Sequence, residues 1–179
     1  MVNEFETFEN SIKYVFKNKG LLKKALTHTS YAYENKVDSY ERLEYLGDSI
    51  LEFISSKYLF ENFQNLSEGE MTKVRAYAVC EDSLYKIAIK HNFSDFLYLG
   101  KSEKATHTNK KAILADSVEA VIAAMYLDSG LDNVERFIII LSIFTISYHL
   151  YVFLFKGIVK GNKTIYNVHV NLGEVKFCG

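Results

Sequence analysis

Apolar residues recur at helical spacing from Phe5 to Leu127, and this periodicity constrains the fold more than any other feature of the sequence. Its clearest stretch runs from about Tyr40 to Phe63, where leucine and isoleucine occupy one side of a predicted long helix. None of the 179 residues is a proline, so long helices can form without interruption. The sequence therefore predicts an all-α fold as far as a last helix that begins near Leu131.

Local signals place several helix ends. The spacing of the aromatic residues predicts a first helix from Phe5 to Phe16, and Asn18 is a predicted N-cap for the second. Ser67 and Glu70 have the spacing of a capping box. The sequence Asp-Ser-Gly at 128–130 predicts a helix stop.

Two polar stretches show no helical repeat. They are Tyr31–Ser39 and Gly100–Asn109, the second of which is rich in Lys, Ser and Thr. We predict both as loops.

Charge and cysteine content exclude some classes of protein. With 21 Lys+Arg against 22 Asp+Glu, the net charge is -1, so the chain is not broadly basic and any nucleic-acid contact must be local. The two cysteines, Cys80 and Cys178, lie far apart in sequence and indicate a reducing compartment rather than a disulfide scaffold. The acidic, phenylalanine-containing start does not resemble a signal peptide. We expect a cytoplasmic protein.

Two groups of acids occupy single helix faces. Glu41, Glu44 and Asp48 are spaced i, i+3, i+7 and project within an arc of about 60°. Asp116 and Glu119 are spaced i, i+3 on a later helix. Acids at this spacing are common on solvated faces, but Glu44, Asp48 and Asp116 lie within apolar runs, where unbound carboxylates are costly. A hard divalent cation such as Mg²⁺, which prefers oxygen ligands, would relieve their repulsion.

Four ordered segments resemble the ribonuclease III family. They are ALTHTS at 25–30, ERLEYLGDSILEF at 41–53, SEGEMTKVRA at 67–76 and ILADSVEAVIAAMYLDSG at 113–130. The resemblance covers about residues 8–137. It implies an all-helical nuclease domain that forms a homodimer and cuts double-stranded RNA with Mg²⁺, or Mn²⁺ in its place, leaving 5′-phosphate and 3′-hydroxyl ends.

The resemblance also implies roles for individual residues. Glu44, Asp48, Asp116 and Glu119 match the metal-binding carboxylates, with Asp48 and Glu119 as the catalytic pair. Glu41 and Glu68 match two further acids of the family's active site. An acid at position 68 is also favoured by its place in the first turn of a helix. Tyr45 matches an aromatic residue that contacts the partner subunit.

Other residues have simpler interpretations. Gly47 is expected to permit a close helix approach, and His28 to be a hydrogen-bonded structural residue rather than a general base. Basic residues could meet RNA phosphates or form an ordinary solvated surface; the RNA-binding candidates are Lys73, Arg75, Lys110 and Lys111, with Lys101 and Lys104 as further cations. The alternative to a nuclease is a catalytically weak dimer that binds double-stranded RNA; a purely structural helical dimer is a third hypothesis.

The resemblance ends near residue 137. We expect a nuclease domain at 1–137 and an atypical apolar extension at 138–179. Residues 137–155 carry no charge and reach the length of a membrane span, but they are rich in β-branched and aromatic residues, so a membrane anchor is disfavoured. A helix extension followed by buried strands and a disrupted tail remain equal alternatives. Alternation at 163–179 predicts a β-hairpin, which resembles part of a double-stranded RNA-binding domain.

Overall fold

The computed structural model describes residues 5–105 and 110–139, and these residues form helices joined by short turns. The predicted all-α class is confirmed there: apart from one isolated parallel bridge between Thr27 and Tyr98, no strand pairing occurs in the described chain. The helices, in chain order, are α1 (Glu6–Ile12), α2 (Lys19–Ala25), α3 (Thr29–Asn35), α4 (Glu41–Asn62), α5 (Glu68–Ala78), α6 (Glu81–Lys90), α7 (Lys101–Ala105), α8 (Lys110–Ser129) and α9 (131–139).

Helix α8 is the centre of the core. Its apolar residues lie on every side rather than along one stripe, which is typical of a helix surrounded by others. Helices α2, α4 and α6 pack around it. Residues Leu114, Val118, Val121, Ile122 and Met125 are all buried. Asp116 and Glu119 are therefore carried by the most enclosed helix described.

The N-terminal segment corrects one prediction. Helix α1 ends at Ile12 and does not extend to Phe16, because Lys13 adopts a left-handed backbone conformation with φ of 54°. Phe16 is nevertheless buried, since the turn that follows α1 returns it to the core. The aromatic spacing identified the core residues correctly but overestimated the length of the helix.

Two predicted loops contain short helices. Helix α3 covers most of the predicted loop at 31–39, and α7 begins the predicted loop at 100–109. Both helices are too short to be stable from local propensity, so their stability depends on tertiary hydrogen bonds. The side chain of His28 caps α3 by accepting from the N–H of Ser30. His28 is thus a hydrogen-bonded structural residue, as predicted.

Other local predictions are confirmed. Asn18 caps α2 through its side chain, and Ser67 and Glu70 form both halves of the capping box of α5. Helix α8 ends at Ser129, directly before Gly130. These signals act within a few residues and therefore need no tertiary information.

The described chain ends at residue 139. The predicted extension at 138–179 and its β-hairpin lie almost wholly outside the described residues, and so does most of the apolar segment at 137–155. In the part that is described, no helix is both long and apolar enough to cross a membrane.

Candidate metal-dependent active site

Helices α4 and α8 cross in direct backbone contact at Gly47. A Cβ atom on Gly47 would lie 1.9 Å from the backbone oxygen of Glu119 and 2.5 Å from its carbonyl carbon. No side chain fits in that space, so only glycine permits this crossing. The expected role of Gly47 in close helix approach is confirmed. The crossing brings the acidic face of α4 beside Asp116 and Glu119 of α8.

The carboxylates at the crossing differ in exposure. Glu41 and Asp48 are exposed, whereas Glu44, Asp116 and Glu119 are half-buried. The half-buried acids lose part of their hydration, while the exposed ones leave the site open to solvent on one side. A ligand could therefore enter from that side and meet carboxylates from both helices.

Glu119 is the most perturbed acid of the cluster. Burial raises its pKa, and the negative charges of Asp48, Asp116 and Glu44 raise it further, to about 8. The acids of α4 thus act electrostatically on an acid of α8, so the crossing brings the two predicted groups together. At neutral pH Glu119 holds a proton for much of the time unless a positive charge replaces it.

The pKa values of Glu44 and Asp116 are also raised. Burial raises the pKa of Glu44, with contributions from Asp116, Glu41 and Asp48. Burial also raises the pKa of Asp116, and the charge of Glu81 adds to it. Perturbed pKa values that result from burial and like charges are typical of functional sites.

No described side chain neutralises the cluster. Within residues 5–105 and 110–139, Glu44, Asp48, Asp116 and Glu119 form no hydrogen bond or ion pair with another side chain. In the same ranges, no three side chains of His, Cys, Asp or Glu converge closely enough to hold a metal ion as they stand. Mutual repulsion keeps like-charged carboxylates apart in the absence of a cation. The donor set, made only of carboxylate oxygens, fits a hard divalent cation.

The two secondary acids occupy different positions. Glu41 accepts a hydrogen bond from Ser39 at 2.9 Å, and its charge reaches Glu44. Glu68 is exposed in the first turn of α5 and accepts from Thr72 at 3.0 Å. Its charge contributes to none of the pKa shifts in the cluster. The described chain therefore brings Glu41, but not Glu68, to the site.

The basic candidates fall into two pairs. Arg75 forms an ion pair with Glu52 at 2.7 Å and donates to Ser56 at 2.8 Å, which joins α5 to α4. Lys111 pairs with Glu81 and Asp82 at the start of α6. The remaining pair, Lys73 and Lys110, is exposed at the surface. Because Arg75 and Lys111 already pair with acids, Lys73 and Lys110 are the stronger phosphate candidates.

Tyr45 lies on the outer face of α4 and is 81% exposed. Phe53 and Phe60 lie on the same side of the helix, within about 80° of Tyr45, and are 56% and 72% exposed. These two phenylalanines were not predicted from the sequence as surface residues. The signal was present, because three aromatic residues at spacings of eight and seven cannot all be core residues of a helix whose opposite face is already apolar.

Tyr40 is a third residue that was not predicted from the sequence. It is buried, and its ring packs edge-on against that of His28, with the ring centroids 5.7 Å apart. Burial raises the pKa of its hydroxyl, and the charges of Asp116, Glu44, Glu41 and Glu103 add to the effect. Its only sequence signal is its position directly before Glu41.

Comparison with known proteins shows that the chain is similar to members of one protein family. The family described as Ribonuclease-III-like matches residues 18–144. Ribonuclease 3 of Clostridium botulinum is 45% identical over 139 residues, which cover 76% of this chain and 60% of the relative. Ribonuclease 3 of Caldanaerobacter subterraneus is 48% identical over 134 residues, covering 73% of this chain and 59% of the relative.

A solved structure gives the same result. The nuclease domain of ribonuclease III from Campylobacter jejuni superposes with a TM-score of 0.74 and is 37% identical; the match covers 79% of this chain and 97% of that domain. The chain thus spans nearly all of a solved nuclease domain but only about 60% of the curated relatives that it matches.

Proposed function

Because the chain belongs to the Ribonuclease-III-like family, we propose that it is an endoribonuclease that hydrolyses double-stranded RNA with the help of a divalent cation. The observation that carries this proposal is the unneutralised carboxylate cluster at the crossing of α4 and α8. In that cluster, burial and three neighbouring acids raise the pKa of Glu119 to about 8. A metal ion between the helices would reverse this perturbation.

We propose that Glu44, Asp48, Asp116 and Glu119 hold the cation, with Asp48 and Glu119 as the catalytic pair. A bound divalent cation lowers the pKa of a water molecule and balances charge on phosphoryl oxygens. Mg²⁺ is the proposed ion because all four donors are carboxylates, and Mn²⁺ can substitute for it. Hydrolysis would leave a 5′-phosphate and a 3′-hydroxyl.

The side chains have separate tasks in this proposal. The half-buried Glu44, Asp116 and Glu119 supply a fixed negative field, and the exposed Asp48 faces the side from which RNA would approach. Glu119 would give up its proton as the cation binds. Glu41 lies next to the cluster and could act on substrate; for Glu68 the same role rests on the resemblance alone.

The proposed substrate contact is electrostatic. Lys73 and Lys110 are exposed cations, and A-form RNA is recognised mainly through its phosphates and 2′-hydroxyls. Arg75 and Lys111 remain candidates, but an RNA phosphate would have to compete with their present acidic partners. We therefore expect little dependence on base sequence.

We propose a homodimer that is formed through the outer face of α4. The support is the set of three exposed aromatic residues on one side of α4, Tyr45, Phe53 and Phe60, because exposed apolar surface marks interaction sites. The similar nuclease domain from Campylobacter jejuni has a region involved in dimer formation. The cytoplasm is the proposed location, in keeping with Cys80, which is a free thiol.

The test is cleavage of a labelled RNA duplex of about 30 base pairs, long enough to present more than one minor groove. Wild type is compared in Mg²⁺ and in chelator, beside Asp48→Asn and the control Asp132→Asn. Asp132 is an exposed aspartate whose charge acts on Lys57 rather than on the cluster. We expect metal-dependent cutting that Asp48→Asn abolishes and Asp132→Asn retains.

One other result would contradict the proposed activity, and another only the proposed metal site. Binding of the duplex without cutting, in every metal condition, would favour the alternative of a catalytically weak RNA-binding dimer. Full activity of Asp48→Asn would leave the nuclease in place but remove the assignment of its metal site.

A further inference from the structure

The segment before α7 docks on the turn between α2 and α3. The N–H of Tyr98 donates to the carbonyl of Leu26 at 2.8 Å, and the N–H of His28 donates to the carbonyl of Tyr98 at 3.1 Å. These bonds form the isolated bridge of the described chain. They bring α7 beside α3, although the two helices are far apart in sequence.

Ser30 is the centre of this junction. Its hydroxyl oxygen accepts from the N–H of Gly100 at 2.9 Å and lies 2.8 Å from Nδ1 of His28. The N–H of Ser30 donates to the same Nδ1 at 3.2 Å. Because that N–H can only donate, Nδ1 must carry a lone pair, and a neutral His28 then holds its proton on Nε2. The Ser30 hydroxyl therefore joins the cap of α3 to the start of α7.

Contacts on both sides of Gly100 make the junction tight. A Cβ atom on Gly100 would lie 2.8 Å from the carbonyl oxygen of Ser30 and 2.7 Å from a carboxylate oxygen of Glu34. The next residue, Lys101, donates its N–H to Glu34 at 2.9 Å. Two side chains of α3 thus hold consecutive backbone N–H groups at the start of α7.

Helix α7 lies near Tyr40, the buried residue directly before α4. The charge of Glu103 on α7 acts on both Tyr40 and His28, and Tyr40 also senses Asp116 and Glu44. The described part of α7 has five residues, too few for a helix to persist alone. The junction at Ser30 therefore fixes the position of α7 and of its exposed cations, Lys101 and Lys104.

We propose that Ser30 is a positioning residue for RNA cleavage: its hydroxyl fixes α7 at the edge of the carboxylate cluster, where Lys101 and Lys104 meet phosphates of the RNA backbone. This inference rests on the proposed nuclease function and adds to it a second RNA contact and the group that holds it. Ser30 touches neither the substrate nor the cluster and acts through α7.

The test is steady-state cleavage of the RNA duplex by the full chain in Mg²⁺. Removing one neutral hydrogen bond weakens an interaction by about two- to tenfold, so Ser30→Ala should raise KM by that factor and leave kcat within about twofold. Ser30→Thr, which keeps the hydroxyl, should restore the wild-type KM. The exposed Glu34 provides a second variant that cannot compromise the core; Glu34→Ala should also raise KM.

Ser11→Ala is the matched control. Ser11 is a partly buried serine whose hydroxyl donates to the carbonyl of Phe8 at 2.8 Å, and its substitution should leave KM unchanged. Amide hydrogen exchange gives a readout that needs no RNA: the N–H of Gly100 should exchange faster in Ser30→Ala than in wild type or Ser11→Ala.

The outcomes separate the two proposals. If wild type does not cut, the proposed function fails. If wild type cuts, and Ser30→Ala and Glu34→Ala both keep its KM, the positioning role of Ser30 is wrong. An equal loss of activity in Ser30→Ala and Ser30→Thr would also overturn it, because the hydroxyl would then not be the group that matters.

Discussion

Two regions of this protein bury carboxylates, and they do so in opposite ways. At the N-terminal end, Glu9 is only 3% exposed, yet its side chain accepts from the N–H of Phe16 at 2.8 Å and pairs with Lys19. At the crossing of α4 and α8, Glu119 is less buried but faces three other acids and has no described partner. Burial alone therefore does not distinguish these two acids, whereas their partners do.

Asp128 supports the same distinction. Burial would raise its pKa, but hydrogen bonds from the Tyr14 hydroxyl and from the N–H groups of Lys17 and Asn18 hold that pKa below its usual value. Asp128 thus ties the end of α8 to the turn before α2. Glu9 and Asp128 stabilise the fold, whereas the cluster around Glu119 costs stability, which in our proposal a bound cation would return.

The largest expected effect comes from replacing a carboxylate by an amide in each of the two regions. Glu119→Gln should lower the rate of RNA cleavage by about 100- to 1,000-fold, the range for losing one group that stabilises a transition state. Glu9→Gln should keep the rate within about twofold but lower the free energy of unfolding by about 1–3 kcal/mol, because it weakens charge-assisted hydrogen bonds. Cleavage assays and urea unfolding of both variants measure the contrast, and similar cleavage rates in the two would break it.

The next effect concerns the crossing that creates the cluster. In Gly47→Ala, the new methyl group would collide with backbone atoms of Glu119, which cannot move without separating the helices. We expect destabilisation of about 3 kcal/mol or more, together with loss of cleavage. Gly69→Ala is the matched control, because a Cβ there has nothing within 4 Å. It should be neutral or slightly stabilising, since alanine favours a helix. If Gly47→Ala is as stable as wild type, the close contact is not required.

A smaller effect is the pH dependence of stability that Glu119 causes at the crossing. The folded pKa of Glu119, about 8, lies above the ordinary glutamate value, so the folded state binds its proton more tightly and loses stability as pH rises towards 8. Glutamine does not ionise. In chelator, the melting temperature of Glu119→Gln should thus equal that of wild type near pH 4 and exceed it by about 3 °C at pH 8, an amount reduced by solvent screening. If Glu119→Gln melts at a lower temperature than wild type at pH 8, the ionised Glu119 stabilises the fold instead of destabilising it.

Local signals in the sequence were sufficient for the long helices, for the caps of α2 and α5 and for the end of α8. They failed at α3 and α7, where polar residues predict loops, because these helices depend on partners distant in sequence: Ser30 and Glu34 hold the start of α7. The length of α1 was overestimated because Phe16 reaches the core from a turn.

The same limit applies to the site. Spacing alone placed Glu44 and Asp48 on one face and Asp116 and Glu119 on another, and only the resemblance joined them. Their meeting depends on Gly47, whose backbone contact with Glu119 has no local signature. Nor could the sequence separate Glu119 from Glu9, since the pairing of Glu9 with Lys19 requires the turn that follows α1.

The central claim is that no described side chain neutralises the carboxylates at the crossing because a cation does so. The most direct test is calorimetric titration of Mg²⁺ into the metal-free protein at pH 7, in two buffers with different ionisation enthalpies. We predict binding with release of up to about one proton, which Glu119→Gln loses and Glu9→Gln retains. The absence of binding, or binding with no proton release that persists in Glu119→Gln, would contradict the account.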